Sequence, residues 1–392
     1  MLISDFDTAI RDWARSQGWA EATCPGCGRA FYTRRPRPGC DDVRAGCAPG
    51  YGFIGRRRGV YRTPADILAA LRHRFARAGF RETALSGLVG AAADTLFVVA
   101  GVQVFDDVLR GAAPPHTDPL FVPQPSVRVR SLEKVGRKPG ISSSFVNVCS
   151  EQLDGDGGDF ARHLDAWLDA FAGCGLDLDG LTLLIEPDRM RRDRFAYRTA
   201  DIDYFGLELG EAIMLWADDG PVQTILDFGF GFERLVWAAN EADSYFSLIG
   251  PPRLALAGHA RLVDFVRTMT LLAAAGLGPS NNGTGYVLRK LGRLAAVEGA
   301  GYMPLDELVR HSHDYWSAFV EPVRDADACI EVVRREIGRA VNASLAGTLG
   351  LNTNRLRLDQ GTDQFLLELV SSGGVGYGRL REALTRSGAD HG

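Results

Sequence analysis

The chain has 392 residues, 46% of them hydrophobic and 24% charged, with a formal net charge of -5. At roughly 100–200 residues per domain that length holds a catalytic core and a further domain, and the acidic balance excludes a surface that coats nucleic acid by charge alone. Basic character is confined to short runs such as Arg34-Arg35, Arg56-Arg57-Arg58 and residues 189–194, each expected as a solvated face or a local contact.

Residues 1–62 read as a loop-rich module around the cysteines, with Pro25, Pro36 and Pro38 excluding long helices. Within it two residues separate Cys24 from Cys27, twelve separate Cys27 from Cys40, and six separate Cys40 from Cys47. Two intervening residues let a pair of thiolates converge on one tetrahedral ion, and Gly26 and Gly28 supply the knuckle, so a structural zinc site is expected. The alternative is four reduced thiols. Cys149, Cys174 and Cys329 stand alone and read as buried core thiols.

Thr63-Pro64 opens a predicted helix with Ile67, Leu68, Leu71 and Phe75 on one stripe, stopped by Gly79. Residues 95–105 and 119–129 are short β-branched apolar runs predicted as strands. Residues 159–172 return to helical spacing through Phe160, Leu164, Trp167 and Phe171, and residues 181–185 and 207–216 supply further strands. Ile225 and Leu226 then read as a buried strand, Gly229 and Gly231 allow close backbone approach, and residues 232–239 form the next helix with Arg234 in its first turn, near the positive end of the dipole. Alternatively Glu233 and Arg234 form a structural pair. Beyond residue 251 four amphipathic helices are predicted, at 257–275, 285–298, 305–319 and 322–345. The expected organisation is therefore 1–62 cysteine module, 63–250 catalytic domain and 251–392 helical domain, with residues 387–392 frayed. No basic-then-apolar leader opens the chain and no apolar run approaches 18 residues, so a cytoplasmic protein with no membrane partner is expected.

The run Asp227-Phe-Gly-Phe-Gly-Phe-Glu-Arg-Leu-Val-Trp-Ala resembles the third motif of class II aminoacyl-tRNA synthetases, in the form found in archaeal alanyl-tRNA synthetases. Three other stretches resemble that family in order: the cysteine block with Tyr51-Gly-Phe-Ile-Gly55, Pro123-Gln-Pro-Ser-Val-Arg128 with Val135-Gly-Arg137, and Gly278-Pro-Ser-Asn-Asn-Gly-Thr-Gly-Tyr-Val-Leu-Arg-Lys290. The resemblance implies an α+β catalytic fold, an antiparallel sheet flanked by helices, followed by a helical tRNA-recognition domain. It implies that Arg128 contacts the α-phosphate and substrate carboxylate, that Arg234 reaches terminal phosphates, and that Asp227 holds the α-ammonium of alanine. Gly229 and Gly231 would floor the adenosine pocket beside Phe145, and Glu208 and Glu211 would hold Mg2+ if ATP is used. Asn281 would probe the tRNA acceptor stem, with Arg289, Lys290 and Arg293 as phosphate contacts.

The pattern departs from the family at two points. After its loop the second motif normally supplies a histidine and a glutamate that reads adenine; here Ile141 and Val146 stand there, and neither hydrogen-bonds a nucleotide. Residues 189–198 replace the glycine- and asparagine-rich loop that shapes the alanine pocket. A protein without an editing domain is expected, and binding alone separates small side chains poorly. The expectation is thus an aminoacyl transferase or ligase of specialised metabolism, such as antibiotic biosynthesis. It would attach alanine, or a similar small amino acid, to an adenosine-like acceptor, with alanyl-tRNA as donor. The alternatives are ATP-dependent alanyl-tRNA formation and a non-catalytic tRNA-binding paralogue.

Overall fold

The computed structural model describes residues 3–56, 60–83, 87–90, 96–192, 194–217, 222–251, 258–298 and 304–349. Residue 95, Arg57-Arg58 of the second basic run, residue 193 of the third, and the tail at 387–392 lie outside the described residues. Two compact units emerge: Met1–Ser86, Val99–Gln124 and Val146–Asp243 form the first; Gly87–Val98, Pro125–Phe145 and Ser244–Gly392 form the second.

The first unit is organised by a ten-stranded sheet. Its strands are β1 (Ala20–Thr23), β2 (Ala30–Thr33), β3 (Arg81–Glu82), β4 (Leu120–Val127), β5 (Ser144–Leu153), β6 (Leu181–Ile185), β7 (Met190–Arg192), β8 (Phe195–Tyr204), β9 (Leu207–Ala217) and β10 (Thr224–Gly231). They run in the order β1-β2-β6-β8-β9-β10-β5-β4-β3, with β7 added to β8. All pairings from β1 through β10 to β5 are antiparallel, and β3 joins β4 in parallel. β8 and β9 are joined through Phe205 (φ 45°) and Gly206 (φ 85°), the two positive φ angles of a type I′ hairpin.

Side chains of a strand alternate between faces, and in β10 the alternation separates aromatics from glycines. Phe228 and Phe230 point to helix Gly157–Gly173, where Phe230 meets Trp167 at 4.1 Å and Phe171 at 5.3 Å, and Phe228 meets Phe160 at 4.9 Å. That helix starts on Asp156, whose carboxylate accepts from the N–H groups of Gly158 and Asp159. Helix Pro64–Arg77 packs behind it through Phe75 on Trp167. Thr63 and Asp66 close its capping box, and Ile67, Leu68, Leu71 and Phe75 are buried as the spacing required. The opposite face of β10 carries Asp227, Gly229 and Gly231.

Two local expectations change. Within the predicted strand at 95–105, residues Gly101–Phe105 form a 3-10 turn, because the Gln103 side chain accepts the N–H groups of Val99 (2.7 Å) and Ala100 (3.2 Å) and satisfies them locally. In the 1–62 module, helix Ile3–Ser16 precedes all the prolines and buries Phe6, Ile10, Trp13 and Ala14.

The second unit contains helices Ala260–Ala274, Gly283–Val297, Leu305–Trp316 and Ala326–Leu349, which pack on one another. Its interior holds a closed polar cluster. Asp264, fully buried, accepts from the Ser143 N–H at 2.9 Å and from its hydroxyl. Thr268 bonds the Ser143 and Ser144 hydroxyls, each at 2.7 Å, and Arg267 donates to the Ser144 carbonyl at 2.5 Å. The Arg267 guanidinium lies over the rings of Tyr315 and Trp316. Among the described residues no helix is long and apolar enough to cross a membrane.

Candidate functional site

Directly paired residues of antiparallel strands point to the same face, so the register converts the glycine face of β10 into a grid. One row runs Thr199 (β8), Ile213 (β9), Asp227 (β10), Glu151 (β5); the next runs Asp201, Glu211, Gly229, Cys149. Asn147 follows opposite Gly231, while Tyr197, Leu215, Ile225 and Leu153 close the other end. Gly229 and Gly231 are the two partly open positions of an otherwise buried strand. A Cβ on Gly229 would stand 3.3 Å from the Asn147 amide and 3.7 Å from the Cys149 sulfur. The sheet thus presents a shallow floor bounded by acids.

Those acids perturb one another. Glu151 is fully buried, and among the described residues its carboxyl meets Asp227 and the Cys149 thiol, with no cation beside it. Burial, then the neighbouring charge of Asp227, hold its carboxyl well above the usual carboxylate range. Burial, followed by Asp201, Glu208 and Asp227, pushes Glu211 up to about 7, with Arg44 opposing. The Cys149 thiol is held well above its usual value by burial and then by Glu151 and Asp227, so it is no thiolate nucleophile at neutral pH.

The cations stand at the edge of this face. Arg44 reaches Glu208 at 2.5 Å, Asp201 at 2.8 Å, Asp42 at 3.2 Å and Asp203 at 3.5 Å. Arg234, in the first turn of helix Phe232–Asn240, donates to the Glu208 carbonyl at 2.9 Å and lies 3.4 Å from its carboxylate. A divalent ion at Glu208 and Glu211 would compete with two guanidinium groups. The Glu233 carboxylate accepts the backbone N–H of Val146 at 3.1 Å, and Val146 is fully buried in the strand that follows the second motif.

Cys24, Cys27, Cys40 and Cys47 bring their sulfurs within 4.8 Å of one another. Cys24 lies 3.7 Å from Cys47 and Cys27 3.7 Å from Cys40, close to the about 3.8 Å edge of a thiolate tetrahedron around zinc. Burial opposes ionisation of Cys24, but the N–H groups of Cys40, Cys27 and Gly26 overcome it and lower the thiol to about 6. The donor set fits a four-coordinate structural ion. The loop between Cys40 and Cys47 carries Asp42 and Arg44, so the cysteine module delivers Arg44 to the acidic face.

The remaining expected residues lie in the second unit. Arg128 follows β4, donates its N–H to the Ser143 carbonyl at 2.9 Å and stacks over Phe145 at 4.8 Å. Asn281 accepts from Arg289, whose Nε lies 3.7 Å from the buried Glu336. Lys290 is exposed, and Arg293 covers Tyr286 at 5.5 Å. Sequence reasoning missed Glu151, Asp201 and Arg44. The available signal was Asn147, Cys149 and Glu151 at alternate positions of an apolar strand.

No family model matches the chain. It is 27% identical to the alanine–tRNA ligase of Pyrobaculum neutrophilum over 62% of its length, and 25% identical to that of Methanoculleus marisnigri over 65%. Against the ligase of Halobacterium salinarum the identity is 23% over 99% of this chain. The chain spans 28%, 30% and 51% of these relatives respectively. A pyrrolysyl tRNA synthetase from Desulfitobacterium hafniense matches 48% of this chain and 71% of its own at 14% identity and a TM-score of 0.36, a likeness that carries no weight for the fold. The chain is thus similar in sequence to alanine–tRNA ligases, and its fold is α+β with a largely antiparallel sheet.

Proposed function

We propose that the chain is an aminoacyl transferase that holds a small aminoacyl group, alanine or close to it, over the glycine floor of β10. Asp227 takes the α-ammonium, and Arg234 and Arg128 meet anionic parts of the substrates. Alanyl-tRNA is the donor, bound through Asn281, Arg289, Lys290 and Arg293, and a nucleoside-like molecule is the acceptor in specialised metabolism. The observation that carries this reading is the acidic row beside Gly229: a site for phosphates alone would not surround its floor with Asp227, Glu151, Glu211 and Asp201. Val146 and Ile141 favour transfer from a preformed ester over ATP consumption, because neither side chain supplies a hydrogen bond to a nucleotide.

Run forward, the reaction needs little acid–base help. The acceptor hydroxyl or amine attacks the ester carbonyl, the C–O bond to the tRNA ribose breaks, and the ribose oxygen takes up the proton the nucleophile loses. The test incubates the protein with alanyl-tRNA and adenosine-type acceptors, and in parallel with alanine, ATP and labelled pyrophosphate. Acceptor-dependent ester loss that vanishes in Asp227→Ala is the expected result. Pyrophosphate exchange would replace it with ATP-dependent alanyl-tRNA formation, and silence in both assays with a non-catalytic tRNA-binding role.

A further inference from the structure

We propose that Glu151 is the second wall of an ammonium receptor whose first wall is Asp227, and that this receptor selects a primary ammonium on the substrate. The inference rests on the reading of the glycine floor as an aminoacyl pocket, and adds a residue and a selectivity that the pocket did not yet have.

Glu151 lies directly opposite Asp227 across the β5–β10 pairing, on the same face of the sheet. It is fully buried, and among the described residues its carboxyl meets only Asp227 and the Cys149 thiol, with no cation beside it. Two buried carboxyls side by side with no cation to balance them cost free energy unless a ligand supplies that charge. The space Glu151 occupies is made by Gly101: a Cβ there would stand 2.8 Å from a Glu151 oxygen and 2.4 Å from the Cys149 sulfur. On the other side Gly229 leaves the floor open from Glu211 toward Asp227. Among the described residues only the four cysteines bring three ligand atoms within 4.8 Å, so these acids do not form a metal cage.

A primary ammonium presents three N–H donors, more than one carboxylate accepts from a single side. The groups facing Glu151 are Asp227 on β10 and Cys149 on its own strand, with Glu211, Asp201 and Arg44 further out. Two anionic carboxylates at this depth would repel, so Glu151 acts as the neutral acid, donating to Asp227 and offering its carbonyl oxygen to the ligand. Net charge then balances at one carboxylate and one ammonium.

The experiment compares two stable adenylate analogues by calorimetry, 5′-O-(N-alanylsulfamoyl)adenosine and its propionyl counterpart, which lacks only the amine. Wild type should prefer the alanyl compound by about 100-fold, the worth of a charged hydrogen-bonded group. Glu151→Ala should reduce that preference to about tenfold or less while binding the propionyl compound as before. Glu151→Gln, which keeps a donor and a carbonyl, should retain most of it. A merely structural role would weaken both compounds alike, and that result overturns the proposal, as does an unchanged preference in Glu151→Ala or its loss in Glu151→Gln. If the alanyl compound does not bind wild type at all, the aminoacyl pocket itself fails and takes the receptor with it. If it binds but Asp227→Ala leaves the preference intact, the ammonium lies elsewhere.

Discussion

Two buried acids in this protein are treated in opposite ways. Asp264 of the second unit accepts two hydrogen bonds from Ser143 and sits in a cluster with Thr268, Ser144 and Arg267 nearby. Glu151 of the first unit is as deeply buried, but beside another carboxylate, Asp227, and a thiol, Cys149, with no cation facing it among the described residues. Buried polar groups normally find partners, so the first arrangement is what holding a fold requires. The second lacks a balancing charge, which on our proposal a ligand ammonium brings from outside.

The sharpest way to break that contrast is to remove both acids and compare signs. Asp264→Ala strands the Ser143 donors in the interior and should cost about 3 kcal/mol in urea unfolding; a loss below about 1 kcal/mol would mean the cluster is not what holds that interior. Arg44→Met withdraws a cation shared by Asp42, Asp201, Asp203 and Glu208. Because its side chain is 39% exposed, solvent screening reduces the penalty to about 2 kcal/mol, read from the same titration. Glu151→Leu should go the other way, stabilising by about 1 kcal/mol while reducing selection for the amine as Glu151→Ala does. Destabilisation there would place Glu151 with Asp264 as a structural acid.

The smallest effect concerns pH. Glu211 is raised in the folded protein to about 7, against about 4.3 for an unperturbed glutamate. The folded state therefore binds the extra proton, and this contribution to stability is complete below about 4.3 and is lost as pH rises through about 7. Unfolding midpoints measured from pH 4 to 8 should fall across that window, and Glu211→Gln should flatten that part of the slope. An unchanged slope would show that Glu211 ionises freely at the edge of the floor.

Much of this was legible in the sequence. The Cys24, Cys27, Cys40 and Cys47 spacing predicted convergence, and their sulfurs do converge. Thr63-Pro64, Gly79 and the Ile67 to Phe75 stripe marked helix Pro64–Arg77, and helical periodicity located the four helices of the second unit. Such features are local: a cap, a knuckle or a 3.6-residue stripe is written within a dozen residues. The predicted strand at residues 95–105 read wrongly in its second half, where the Gln103 side chain accepts the N–H groups of Val99 and Ala100 and Gly101–Phe105 form a 3-10 turn.

Chain order alone determined which residues alternate along β5, β8, β9 and β10, and hence that Asp227, Gly229 and Gly231 share a face. Only the tertiary structure decided what meets them there. Glu151 is 76 residues from Asp227 in sequence, and Arg44 is 157 from Asp201. Strand register and the fold of the cysteine loop bring them together, and neither is encoded by periodicity, since a one-residue slip would turn every acid of the grid to the other face.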